Sequence, residues 1–165
     1  NYLLCKQVNK AEKKINKLIP YTFLLLIFIQ IIIGAFVSGM DAGKIYNTWP
    51  LMNNGYFPDD SSVKDLLSIQ ALETPSIVQF IHRNIAYLII FLFIFIFVIV
   101  YKNNDFIYLK NTTVLIFLFL SLQTILGILT VLSAAQIVLA SMHQIGSIFL
   151  IITSLVLVFK NSRTN

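Results

Sequence analysis

The chain is short of the residues from which soluble proteins build their surfaces and most of their catalytic sites. Only 12% of its 165 residues are charged, about half the share of an ordinary soluble domain, while 58% are hydrophobic. That balance excludes a soluble enzyme. There is one cysteine, Cys5, so neither an internal disulfide nor a cysteine-based zinc or iron–sulfur site is available. There are two histidines, His82 and His143, and no acidic side chain inside any long apolar run. Intramembrane carboxylate relays and carboxylate-rich metal sites are therefore excluded as well. Alternating apolar and polar residues are also missing, which argues against a membrane β-barrel.

Four continuous apolar runs are present: residues 18–37, 77–100, 113–132 and 137–159. Each is near or above the roughly 20 residues that cross a bilayer as a helix. The predicted fold class is an all-α integral membrane protein, a four-transmembrane-helix bundle. Pro20 falls in the first turn of span one, where proline is tolerated. A cleaved signal peptide is a poor description of span one, because its apolar core is too long and no small-residue cleavage site follows.

The formal charge of +5 is unevenly spread. The segments before span one, between spans two and three and after span four sum to about +7, whereas the loop 39–76 sums to about −3. The positive-inside rule places both termini on the cytoplasmic or matrix side, and the basic excess becomes topology rather than nucleic-acid binding. The domain plan is a stub and basic linker at 1–17, a membrane domain at 18–160 and a tail at 161–165. Residues 2–5 look like the end of a preceding span, which would make the chain part of something longer.

Spans one and three share a pattern: Gln30 followed by Gly34, and Gln123 followed by Gly127, in helices that cross in one direction. Spans two and four each carry a histidine five or six residues past the helix start. The chain therefore reads as a pseudo-two-fold repeat of two helix pairs, related by an axis along the membrane normal. At 1.5 Å per residue, His82 and His143 lie at one depth, roughly 8 to 9 Å below the outer surface. Ala86, Ala140, Gly146 and Ser147 leave room for a flat ring beside them, and are equally ordinary helix-packing residues.

Ionisable residues inside a span mark functional sites. Three uses are open: hydrogen bonds between helices, a proton relay, or ligation. Zinc wants three or four ligands, whereas a haem needs only two axial nitrogens from facing helices. Arg83 could pair with a haem propionate or snorkel to headgroups. The loop 39–76, with Tyr46, Trp49, Tyr56 and Phe57, reads either as a lid over the outer end of the bundle or as an aromatic belt with solvated turns.

Five segments carry a specific resemblance: Gly34-Ala35-Phe36-Val37 with Ala42-Gly43; Asn47-Thr48-Trp49-Pro50-Leu51-Met52; Gln79-Phe80-x-His82-Arg83-x-x-Ala86-Tyr87; Gln123-x-x-Leu126-Gly127-Ile128-x-Thr130; and Ala140-x-x-His143-Gln144. Over roughly residues 20–150 the chain resembles haem A synthase of the mitochondrial and proteobacterial type, in its C-terminal four-helix half. The resemblance implies an oxidoreductase of two homologous halves that oxidises the C8 methyl of haem O to the formyl of haem A for terminal oxidases. It implies iron ligation by His82 and His143 to a haem b cofactor, with Arg83 as a further cofactor-binding residue. The N-terminal homologous half, with the substrate site, would be a partner in the same longer chain or a separate one; a second copy of this chain is the other candidate. The resemblance implies a bacterial plasma membrane or mitochondrial inner membrane, and leaves the electron donor and catalytic residues unassigned. An electron-transfer cytochrome and an oxidase-assembly interaction fragment are the competing functions.

Overall fold

Long apolar stretches without interior proline have one way to satisfy their backbone in lipid, which is to close every hydrogen bond within a helix. The structure, a computed structural model, describes residues 14–163 and is built on that solution. Helix α1 covers Leu18–Gly39. A short α2, Val63–Leu66, lies in the connection to α3, which covers Pro75–Lys102. Helices α4, Lys110–Leu132, and α5, Ile137–Arg163, complete the set. Four of the five are long and apolar enough to cross a membrane, and the protein is a multi-pass integral membrane protein. No strand forms among the described residues; the one β-type pairing is an isolated bridge between Met52 and Gly55. The proposed stub at residues 2–5 lies outside the described residues.

Local signals explain the helix ends. Pro75 occupies the first position of α3, where its missing N–H costs nothing. The four-residue connection from α4 to α5 turns on Ala134 and Ala135, both with positive φ (55° and 59°), a conformation alanine adopts only when the flanking helices impose it. Helix α2 is started by Ser62, whose backbone N–H and hydroxyl both donate to Asp65, at 2.7 and 2.8 Å. The segment 63–72 forms α2 followed by a 3-10 turn, Ile69–Leu72.

Packing follows the chain in a ring. Helix α1 packs mainly on α3 and α4 mainly on α5, with α1·α5 and α3·α4 closing the circuit, so α3 and α5 stand across the bundle from one another. The buried stripes have the spacing expected of bundle cores. In α3 the core residues are Ile89, Phe93, Ile96 and Val100; α1 adds Phe23 and Ile27, α4 adds Ile116 and Leu120, and α5 adds Leu150 and Leu157. Large apolar side chains such as Phe91, Ile94, Leu118, Ile125, Ile148 and Ile152 point outward, as lipid-facing positions do.

Extending each stripe toward the other end of the bundle changes its chemistry. From Phe23 and Ile27 the next steps along α1 are Gln30 and Gly34; from Ile89 backwards along α3 they are Ala86, His82 and Gln79. From Ile116 and Leu120 the steps along α4 reach Gln123 and Gly127, and from Leu150 backwards along α5 they reach Gly146 and His143. One end of the core is therefore apolar, and the other is built of amides, imidazoles and glycines.

Candidate functional site

His82 and His143 meet where the polar stripes converge. Being on α3 and α5, they approach across the bundle from opposite sides, with ring centroids 6.4 Å apart and ring planes at 80°. Each ring rests on a glycine of a neighbouring helix. A Cβ at Gly34 would stand 3.1 Å from His82 Cε1, and one at Gly127 would stand 3.1 Å from His143 Cε1. Any other residue at these two positions would push the ring away from the neighbouring backbone.

Two glutamines complete the inner wall. Gln30 Nε2 donates to the backbone carbonyl of His82 at 3.0 Å and lies 3.3 Å from His82 Nε2. Gln123 is buried, and its amide fills the space above Gly146, where a Cβ would come within 2.1 Å of Nε2. The room that the sequence assigns to a flat ring at Gly146 is therefore taken by Gln123, a correction that follows from the amide lying across the helix–helix contact.

Arg83 follows His82 on α3 and is buried, so it does not snorkel to headgroups. Its guanidinium donates to the carbonyls of Tyr46 at 2.9 Å, Thr48 at 2.9 Å and Leu51 at 3.3 Å. Gln79, one turn earlier, donates to the Tyr46 carbonyl at 3.0 Å. Asn47 Nδ2 donates to the carbonyls of Gly43 and Val131, tying the same segment to the end of α4. The Trp49–Pro50 peptide within it is cis. Tyr46 OH donates to Asp59 and Tyr56 OH to Asn84, while Tyr56 and Phe57 pack edge-on against Phe80. Burial, then the bond to Asp59, pushes the Tyr46 hydroxyl up from 10.0 to about 12. The loop is thus packed onto the ends of α3 and α4 nearest the histidines. Arg83 and Gln79 hold it through backbone carbonyls, an arrangement that residue spacing does not announce.

Six buried side-chain atoms among the described residues have no protein partner: Gln30 Oε1, Gln79 Oε1, His82 Nδ1, Arg83 Nε, Gln123 Nε2 and His143 Nδ1. All six belong to this one cluster. Each such atom costs about 1 to 3 kcal/mol if it stays unpaired, so a concentration of six marks a place built around something more than protein. Among the described residues no group of three or more His, Cys, Asp or Glu could hold a metal ion, so a metal at this place would have the two imidazoles as its protein donors. The three carbonyls around Arg83 are neutral, so they leave its positive charge uncompensated, and its Nε has no protein partner.

Comparison with known proteins converges on one family. Residues 3–155 match the model of the cytochrome oxidase assembly protein family. The chain is 43% identical over 157 residues to a haem A synthase of Pelagibacter ubique, covering 94% of this chain and 46% of that protein. It is 35% identical over 137 residues to that of Bartonella henselae, covering 81% and 38%, and 34% identical over 152 residues to that of Flavobacterium johnsoniae, covering 85% and 43%. The chain thus matches less than half the length of each of these relatives. No solved structure matches it. With a family model spanning most of the chain and relatives above 30% identity, the chain belongs to the haem A synthase family of cytochrome oxidase assembly proteins.

Proposed function

We propose that this chain is the part of a haem A synthase that holds a b-type haem between His82 and His143, serving the oxidation of the haem O C8 methyl to the formyl of haem A. The observation that carries this reading is the opposed imidazole pair. Two metal–imidazole bonds of about 2 Å each, with the half-widths of two rings, sum to roughly 6 Å; the rings stand 6.4 Å apart. The surrounding orphaned polar atoms and the glycine seats fit a planar group with polar substituents.

In this reading His82 and His143 are neutral nitrogen donors from facing helices. Arg83, whose Nε is unpartnered, places positive charge toward the outer end, where a propionate carboxylate pairs with it. The loop carbonyls hold the guanidinium in place, and the packed segment Tyr46–Met52 shields that end from water. A bound haem supplies one-electron transfer; the protein supplies its ligation, burial and charge environment. The substrate site belongs to the homologous N-terminal half, in keeping with relatives more than twice as long as the matched stretch. Lys14, Lys17, Lys102, Lys110, Lys160 and Arg163 gather at the opposite end from Asp41, Asp59, Asp60, Asp65 and Glu73, a distribution that, under the positive-inside rule, supports the described chain ends lying on the cytoplasmic or matrix side and the haem in the outer leaflet.

A second reading is an electron-transfer cytochrome. Its support is the donor set itself: a haem held by His82 and His143 would have two imidazole nitrogens as its protein ligands, a set that would serve electron transfer. The test replaces each ligand. His82→Ala and His143→Ala are each expected to abolish low-spin haem in the purified protein; full haem content in either variant overturns the ligand assignment.

A further inference from the structure

The end of the bundle away from the histidines carries the lysines, and two of them flank a recess with a fixed wall. Asn161, near the end of α5, is buried against the residues that lead into α1. Its Oδ1 accepts from the backbone N–H of Ile15 and its Nδ2 donates to the backbone carbonyl of the same residue, both at 3.0 Å. One amide thus satisfies both polar groups of one residue, as a neighbouring strand does, and the Ile15 side chain is buried in the core. Lys14 Nζ donates to the carbonyl of Ser162 at 3.2 Å, a further tie across the same seam. Residues 14–17 are therefore held against α5.

Between these two stretches lies a cavity of about 380 Å³, with Lys14 and Lys17 on its wall beside Asn16, Tyr21, Asn161 and Ser162. Among the described residues no carboxylate lines it, so the two ammonium groups are not neutralised there. The start of α1 and the end of α5 meet at this place, and their opposed helix dipoles offset one another, which leaves the lysines to set the sign. Ammonium, amide and hydroxyl donors around a positive recess suit a phosphate-bearing anion. Next to it Leu18 and Leu25 on α1, and Val156 and Phe159 on α5, are exposed apolar side chains. A headgroup seated between the lysines would lay its acyl chains on that surface.

We propose that this cavity binds a phosphate-bearing anion, with Lys14 and Lys17 as its cationic contacts and Asn161 as the residue that holds their segment in place. The apolar surface beside it fits the headgroup of an anionic phospholipid. Asn161 lies 18 residues along α5 from His143, roughly 27 Å at 1.5 Å per residue, so this place is separate from the histidine pair and does not depend on a haem there.

The test uses the purified full chain in detergent, stripped of lipid and mixed with dioleoyl phosphatidylglycerol or with zwitterionic dioleoyl phosphatidylcholine, while native mass spectrometry counts the lipids retained. A second arm measures uptake of inorganic phosphate by equilibrium dialysis. One variant combines Lys14→Gln with Lys17→Gln. Its control combines Lys102→Gln with Lys110→Gln, which removes the same charge from the same end of the bundle but outside the cavity. Lys14 and Lys17 are exposed, so their loss leaves the core intact, and circular dichroism checks that it does. The expected result is one phosphatidylglycerol per chain, held more tightly than phosphatidylcholine. Binding should weaken about thirtyfold in the Lys14 and Lys17 variant, about fivefold for each lysine, and stay within about twofold of wild type in the control. Phosphate taken up by the wild type and lost in the Lys14 and Lys17 variant supports the site and makes its ligand a free anion instead of a lipid. Equal retention of the two lipids by the wild type, with no uptake of phosphate, overturns the proposal without any variant. Equal weakening in the two variants overturns it as well, because the attraction would then belong to the whole basic end.

Discussion

Replacing Gly34 by alanine sets two opposed effects against each other. In a helix interior glycine is worse than alanine by about 0.5 to 1 kcal/mol, so the substitution alone stabilises. Here the new Cβ would stand 3.1 Å from His82 Cε1, inside the roughly 3.5 to 4.0 Å at which carbon atoms attract. Whether the ring can yield decides the sign. It cannot swing freely, because Gln30 holds both its Nε2 and the carbonyl of the same residue. Overpacking of this kind costs about 1 to 3 kcal/mol, which outweighs the helix gain. Gly39, at the end of the same helix, has nothing within 4 Å of the place a Cβ would occupy and is a matched control. Measured by detergent-phase thermal unfolding and haem content, Gly34→Ala is expected to lose about 1 kcal/mol and a large part of the haem. Gly39→Ala is expected to keep its haem and match or exceed the wild type in stability. A Gly34→Ala protein with full haem and Gly39→Ala-like stability would refute the placement of the His82 ring against α1.

Removing Arg83 takes a donor from three loop carbonyls, of which Tyr46 keeps Gln79 and Leu51 keeps the Thr48 hydroxyl, so Arg83→Ala leaves the Thr48 carbonyl unpaired and is expected to destabilise by about 1 to 3 kcal/mol and open the segment Tyr46–Met52 to protease; unchanged cleavage would argue against the clamp. Lysine, a single point donor, is not expected to rescue it. The Tyr46 hydroxyl is raised in the folded protein, from 10.0 to about 12, so its contribution is complete below pH 10 and is lost as pH rises toward 12. An alkaline unfolding series should show that fall in wild type and a flatter profile in Tyr46→Phe; identical profiles would remove Tyr46 and Asp59 as the cause.

The four spans were legible because apolar length is a strong signal in lipid, where backbone satisfaction leaves few alternatives. Their ends were less so: α3 begins at Pro75 rather than 77, and α5 runs on to Arg163 rather than 159, because polar residues at the surface continue a helix without adding hydropathy. The histidine pair stood out as the chain's only histidines, both at matched depth. Gln30 and Gln123 were visible as a pattern with Gly34 and Gly127, but not their purpose, which depends on which face of α1 and α4 meets the imidazoles. Continuing the core stripe from Phe23 and Ile27 to Gln30 and Gly34 would have placed them. The partners of Arg83 were not legible at all. They are backbone carbonyls of the long connection between α1 and α3, and no side-chain pattern encodes where a carbonyl will point.

The most direct test of the central claim is a reduced-minus-oxidised absorption spectrum of the purified chain, with its haem identified and counted as the pyridine haemochrome. One low-spin b-type haem per chain is the predicted result. A well-folded protein that carries no haem would contradict the account and return His82 and His143 to the role of packing residues.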